Sequence, residues 1–544
     1  MQITKTQQGG VVVYDYEDFN SGLIPQGIIE TESTFVSNGF NVRSTGYPGA
    51  YALDRVDPNQ YNGALSPGYA PSANATNNSS LAGRVVAFVL TDNSTGYGVD
   101  SGGKVQKITT SGSAPSVVVS GSYPHTITGT SPVGQDALLY THYRSSALQT
   151  SLFYTYYNNA NWNIGILDAS LATPNDTFMS SDANAGFRLV ISGGDGDDAS
   201  QRTKAHPMAI GADGILYVGS GRYVHAYDGT ITTNGSFFSK VLTLPQGVEI
   251  VGMTNFNNTL LIATNYVPLA SSVGSANTYV WDYLSLDISF SIDLEDVSVS
   301  SIFLWGGTPM VTTYGENGRN GNYKLKAITG NNVKNIASWN SGAPTFRGVV
   351  TTENMLYMNC AGKIVTVGSI YKPGNMVNHI GSLPQAGTVT GGVLFYNPLA
   401  PTPSLTASVS NDTTYYFQHV GNSSLALGQA FCAFPVCTPG IPAGKRGRIK
   451  NVEVEYTLPL AASGTNGTFT LSVKTDNTTT SVIISANSSV VLPLAKRYTR
   501  DNSGNTLPAF NNFEVLLGWG ASSGGQSPRV SRVLVEWELL EITN

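Results

Sequence analysis

Charge is scarce in this sequence: Asp, Glu, Lys and Arg make up 12% of 544 residues, against about a quarter in an ordinary soluble domain. The 29 Lys and Arg are scattered and the formal net charge is −6, so there is no broad cationic surface for binding a nucleic-acid backbone. Sequence-specific nucleic-acid binding is therefore not expected. Long apolar runs are missing too. Residues 85–90 are typical of the longest stretches and are far too short to span a bilayer, so no membrane partner is expected. Residues 1–13 hold one Lys and a three-valine run, which is not the apolar core of a secretory signal, and manufacture without export is the expectation. Three cysteines exclude a disulfide scaffold. A bridge between Cys432 and Cys437 is sterically possible, but two reduced, buried thiols are the expected state, with Cys360 alone in a strand-like run.

What fills the chain instead is Gly (59), Pro (26), Tyr (28) and many Ser, Thr and Asn. That mixture suits strands joined by tight turns rather than helices, and the fold class expected is all-β. Repeats decide architecture in such chains. Residues 206–229, HPMAIGADGILYVGSGRYVHAYDG, read as one antiparallel meander: strands at 206–210, 215–218 and 223–227 separated by Gly and Asp-Gly turns. Looser copies begin near Gly83, Asp136, Glu249, Val299, Phe346 and Thr388. About seven units at this spacing predict a seven-bladed β-propeller over 81–438, with a string of hairpins in one or two large sandwiches as the alternative. Continuous apolar runs at 260–263 (LLIA) and 300–305 (SSIFLW) suit strands buried on both faces.

After Pro439 the runs give way to alternation. Val452, Val454 and Tyr456 oppose Glu453 and Glu455; Phe469, Leu471 and Val473 oppose Thr470, Ser472 and Lys474; Val533, Val535, Trp537 and Leu539 oppose Glu536 and Glu538. Half-exposed strands of this kind predict a separate C-terminal antiparallel β-sandwich over 441–544. Lys445, Arg446, Arg448 and Lys450 cluster on its first strand, for solubility and edge protection or for an acidic partner. Residues 1–80 read as an irregular arm. Between 63 and 80 it has too little apolar area to offset about 1 to 2 kcal/mol of ordering entropy per residue, so contacts outside its own propeller are expected to hold it. Tyr14, Tyr16, Phe19, Phe35, Phe40, Tyr47 and Tyr51 are the suitable anchors; the alternative is that these rings close the propeller, one N-terminal strand completing its last blade.

Chemistry-bearing patterns are weak. Asp195, Asp197 and Asp198 crowd carboxylates into one turn, but without the spacing of a calcium loop they read as a solvated turn. His125, His142, His206, His225, His379 and His419 show no ligand spacing and read as surface or packing residues. A GxSxG pattern at Ser522 lies in a Gly/Ser loop with no following helix, which removes the context a serine elbow needs. Most acids sit in turns, as Asp92, Asp213 and Asp228 do, where a carboxylate caps local backbone. The expectation is no enzyme, and no catalytic, cofactor or metal site.

The segment Asn38–Gly–Phe–Asn–Val–Arg43 followed by Tyr47–Pro–Gly49, the 206–229 unit, and the closing stretches 448–456 and 532–537 together resemble the β-propeller virion proteins of tailed bacteriophages, of the tail-nozzle and tail-hub type. The resemblance implies a structural subunit of the virion, assembled in the host cytoplasm and repeated as a homo-oligomer around the tail axis. Its implied neighbours are other tail proteins: adaptor, tube or fibres. The alternatives are a host-attachment propeller that binds or cleaves glycans and a bacterial surface protein.

Overall fold

Whether apolar residues alternate or run on decides how many faces of a strand can be buried, and the chain uses both patterns. The computed structural model describes residues 2–8, 10–17, 52–54, 56, 64–65, 76–77, 80–92, 94–109, 115–127, 133–143, 149–157, 162–167, 174–179, 206–228, 236–266, 274–316, 319–340, 346–352, 354–360, 363–368, 377–382, 394–397, 404–411, 414–420, 430–434, 437, 439, 441–457, 469–476, 478–484, 493–501, 503–520 and 528–541. Among them there is no helix, and every strand pairing is antiparallel.

Seven small sheets follow one another, starting at Val85, Val133, Met208, Val248, Ser298, Phe346 and Leu394. The first six are meanders of consecutive strands; the fourth, for example, runs Val248–Phe256, Thr259–Tyr266, Ser275–Trp281, Phe290–Asp293. Its first hairpin turns on Asn257 and Asn258, at φ 48° and 60°, and the fifth sheet's first hairpin turns on Gly306 and Gly307, at φ 56° and 74°. Paired left-handed residues match the twist of the flanking strands, which is why Asn-Asn and Gly-Gly stand there.

The run 260–263 is buried on both faces as its composition requires. Leu260 and Ile262 join a core with Tyr217, Val224 and Leu242 of the third sheet, and Leu261 and Ala263 join one with Val299, Val311 and Ile328 of the fifth. Similar cores join first to second and fifth to sixth sheets. The run 300–305 departs from expectation: Leu304 is 39% exposed and its neighbours are half-buried. Ser298–Trp305 is the first strand of its sheet, paired along one edge only, so the other edge limits its burial.

The seventh sheet takes its fourth strand from the other end of the chain. Thr76 and Asn77 pair with Phe417 and Tyr416, and Leu81, Val85, Ile108 and Phe417 form the core that joins the seventh sheet to the first. The sheets thus form a closed ring. First strands touch first strands around most of it, which puts them at the middle and the fourth strands on the perimeter.

The remaining strands make two larger sheets over one core. One holds Gln2–Gln8, Val11–Glu17, Arg529–Glu541, Lys445–Thr457, Pro493–Tyr498 and Ala509–Phe510; the other holds Ala52–Asp54, Ala430–Ala433, Phe513–Trp519, Phe469–Thr475 and Thr478–Ile484. The irregular, partner-held arm expected for residues 1–80 is corrected for residues 2–8, 11–17 and 52–54, which are strands of these two sheets. Val11–Glu17 pairs with Arg529–Glu541, and Tyr14 and Tyr16 are buried in the shared core, Tyr16 against Phe434 at 5.0 Å between ring centroids and Tyr14 against Phe513 at 5.7 Å. The rings find their apolar area on the far end of their own chain, a pairing over some 500 residues that no local pattern encodes. Arg532 spans the same junction, 2.6 Å from Asp15 and 2.9 Å from Glu455. Phe19, Phe35, Phe40, Tyr47 and Tyr51 lie outside the described residues.

Burial also corrects one inward position. Leu539 is 43% exposed although Val533, Val535 and Trp537 are buried, because the strand runs on past the core, where its partner is Gly447.

Replacing Tyr16 by Ala is expected to cost about 3–5 kcal/mol, the range for emptying a buried aromatic site, while Tyr16→Phe should cost under about 1.5 kcal/mol. Urea unfolding followed by tryptophan fluorescence measures both; two unchanged midpoints would mean the N-terminal strand is not part of the cooperative core.

Candidate functional site

Three carboxylates are buried among the described residues: Asp100, Asp176 and Asp296. An ionised group taken out of water must be met by donors, so their partners show what each can do.

Asp100 ends the first sheet's second strand. It accepts Gln106 Nε2 at 2.7 Å, the Ala82 N–H at 3.0 Å, and the N–H groups of Gly102 and Lys104 at 3.0 and 2.9 Å. Burial pushes its carboxyl above the usual carboxylate range against the pull of these donors. It fastens a turn and has no open lone pair aimed outward.

Asp176 lies on the second sheet's outer strand. Both of its oxygens meet His125 Nε2, at 2.9 and 3.0 Å, and Tyr154 donates its hydroxyl to Oδ1 at 2.5 Å. The Tyr156 hydroxyl donates to the Asp176 carbonyl at 2.5 Å. Tyr154 reaches across an intervening strand because Gly165 lies beneath its ring; a Cβ there would stand 2.2 Å from the ring. A carboxylate on one imidazole nitrogen is half of a general-base arrangement. The His125 side chain is 21% exposed, but among the described residues no Ser, Thr or Cys side chain hydrogen-bonds it. The cluster therefore ties the rims of the first and second sheets together.

Asp296 joins the fourth sheet to the fifth and holds two ammoniums, Lys324 Nζ at 2.9 Å and Lys326 Nζ at 2.7 Å, with the Thr313 hydroxyl at 2.5 Å. Lys326 also donates to the Leu294 carbonyl. In the strand Arg319–Thr329 Leu325 and Ala327 pack toward the sixth sheet, while Lys326, only 3% exposed, faces the other way.

In the third sheet His206 Nδ1 is 2.9 Å from the Gly219 carbonyl, and His225 Nδ1 accepts the Lys240 N–H at 3.3 Å. Burial, then His206 and Lys240, lower the His225 pKa to about 3. Cys432 and Cys437 are buried thiols in the two-sheet core, in no disulfide, and burial raises the Cys432 thiol well above its ordinary range. Asp92 and Asp213 cap their own turns: the Ser94 N–H donates to Asp92 at 2.6 Å and the Ile215 N–H to Asp213 at 3.0 Å. Arg448 and Lys450 pair with Glu538 across the sheet.

Asp195, Asp197, Asp198 and Ser522 lie outside the described residues, as do the side chains of Cys360, His142, His379 and His419. Among the described residues no three His, Cys, Asp or Glu side chains gather as a metal set, and no helix is long and apolar enough to cross a membrane. Sequence reasoning missed Asp176, Asp296, Lys324 and Lys326, whose roles arise only when neighbouring sheets pack.

No protein-family model and no curated protein matches the chain. Solved structures similar to it include the Dos1 propeller, at 8% identity over 65% of this chain and 90% of that one with a TM-score of 0.35. The WD40 β-propeller domain of Doa1 matches at 12% identity over 64% and 96%, TM-score 0.35. The computationally designed Ika8 protein matches at 12% over 63% and 98%, TM-score 0.37.

Two outcomes follow from these contacts. A histidine whose folded pKa lies below its unfolded value near 6.5 binds its proton preferentially in the unfolded chain, so stability falls as pH drops from about 6.5 toward 3. Between pH 6.5 and 5 the His225 contribution should be about 2 kcal/mol, and His225→Gln should remove that part of the slope in urea titrations. An equal slope in the variant would contradict the assignment. Gly165→Ala should cost about 1–3 kcal/mol through overlap with the Tyr154 ring, and Tyr154→Phe should cost about 1–2 kcal/mol through the lost hydrogen bond to a charged acceptor; calorimetry reads both.

Proposed function

We propose that this chain is a non-enzymatic structural subunit: a seven-bladed β-propeller over 76–420 carrying a β-sandwich built from 2–65 and 430–541. We further propose that it serves in the virion of a tailed bacteriophage, assembled in the host cytoplasm as a ring-forming tail nozzle or hub protein beside adaptor, tube or fibre proteins. The observation that carries the structural role is the use made of the buried carboxylates. Asp100, Asp176 and Asp296 are each engaged by donors of their own or the adjoining sheet, so the polar interior stiffens the ring rather than facing a substrate. The phage setting is supported by the motif resemblance of 38–49, 206–229 and the closing strands.

The second reading is a glycan-cleaving attachment propeller, favoured by one feature, the part-exposed His125 on its carboxylate at the rim. Light scattering of the purified chain, combined with polysaccharide binding and hydrolysis assays, separates the two. The structural reading expects a closed oligomer and no hydrolysis. A monomer whose hydrolysis of a polysaccharide is lost in Asp176→Asn would overturn it.

A further inference from the structure

The backbone of Asp296 belongs to the fourth sheet and its side chain to the fifth. The Ala276 N–H donates to the Asp296 carbonyl at 2.9 Å, and the Leu294 N–H donates back to Ala276 at 3.0 Å, so the chain leaving the fourth sheet's perimeter strand is still paired there. The carboxylate meets two strands of the fifth sheet, Thr308–Glu316 and Arg319–Thr329. Lys326 Nζ stands 2.7 Å from Oδ2, Lys324 Nζ 2.9 Å from Oδ1, and the Thr313 hydroxyl donates to Oδ2 at 2.5 Å. The Asp296 side chain is fully buried, that of Lys326 nearly so, and that of Lys324 is 12% exposed. Leu294, two residues before Asp296, and Val311, two before Thr313, belong to the apolar core that joins the two sheets.

One carboxylate balances one ammonium, so two amines on Asp296 leave a surplus positive charge in a place shielded from water, where charge is costly. Loss of one proton from Lys326 removes the surplus and leaves a primary amine against a carboxylate. The Leu294 carbonyl accepts an N–H of Lys326 and so orients the nitrogen. An amine held this way is a nucleophile at contact distance from its electrophile. Lys324 and Thr313 supply what a carboxylate lacks as an electrophile: donors that carry negative charge on its oxygens, and a proton for the oxygen that must leave. We propose that Lys326 and Asp296 join in an amide bond that staples the fourth sheet to the fifth. The Lys326 lone pair attacks Asp296 Cγ, and the tetrahedral centre collapses by breaking one C–O bond. That oxygen departs as water, with one proton from the attacking nitrogen and one from the Lys324 ammonium. Lys324 ends as a neutral amine and, being the more exposed of the two, regains a proton from solvent. Charge and atoms balance with water as the sole product lost, and no oxidant or co-reactant is needed. The staple belongs to the ring whatever its biological setting, so its failure leaves the structural reading standing.

The test is intact-mass spectrometry of the full chain under denaturing conditions. Once any loss of Met1 is allowed for, the expected mass is about 18 Da, one water, below that of the sequence. A chymotryptic digest should then contain one branched peptide joining the segment of Asp296 to that of Lys326. Lys326→Arg should return the full mass of its own sequence. Lys324→Gln keeps both partners of the bond but removes the proton donor, and should slow linkage about 100-fold in a time course after synthesis. A parent chain with the full mass of its sequence overturns the proposal, and that measurement needs no variant to fold. A lost water without the branched peptide also overturns it, since an internal succinimide costs one water too. Linkage at the parent rate in Lys324→Gln overturns the role given to Lys324.

Discussion

Everything in the ring depends on burying both faces of sheets that are too small to fold alone. A four-stranded meander with apolar residues on both sides leaves apolar area in water unless both faces are covered; each sheet needs a neighbour on either side, and the first and last need each other. That last junction is the one the chain cannot make from consecutive sequence. Thr76 and Asn77 supply it beside Phe417, and Leu81, Val85 and Ile108 seal it. Closure also brings both ends of the chain out at one junction, where Val11–Glu17 and Arg529–Glu541 become neighbouring strands.

The polar interior follows from the same packing. Asp176 with His125 and Tyr154, and Asp296 with Lys324 and Lys326, tie neighbouring sheets together, while Asp100 with Gln106 fastens a turn of the first sheet. Such clusters are costly to break: removing the Asp296 carboxylate would leave the ammoniums of Lys324 and Lys326 without their shared counter-charge, a loss on the order of 3–5 kcal/mol. They are worth less as net stability than as registry, since only one alignment of fourth and fifth sheets satisfies all three groups.

How much of this could be read from sequence depends on the range of the interaction. The meander at 206–229 and the alternation at 452–456, 469–473 and 533–537 are local, and the strands found there follow the pattern. The place of the N-terminal hairpin Gln2–Gln8/Val11–Glu17 was unreadable because its second strand pairs with Arg529–Glu541, some 500 residues away. The burial of Lys326 beside Asp296 gave no signal, because alternation reports two faces but not what covers them. Asp176 and His125 are 51 residues apart and meet only through the packing of two sheets.

The central claim is that both ends of the chain fold as one unit on a closed ring. Hydrogen exchange of the intact protein, resolved by peptide, tests it most directly. The account predicts that the amides of Val12, Tyr14 and Tyr16 exchange as slowly as those of Val533 and Val535, with which they share a sheet. Rapid exchange of 11–17 beside protected 530–537 would contradict it.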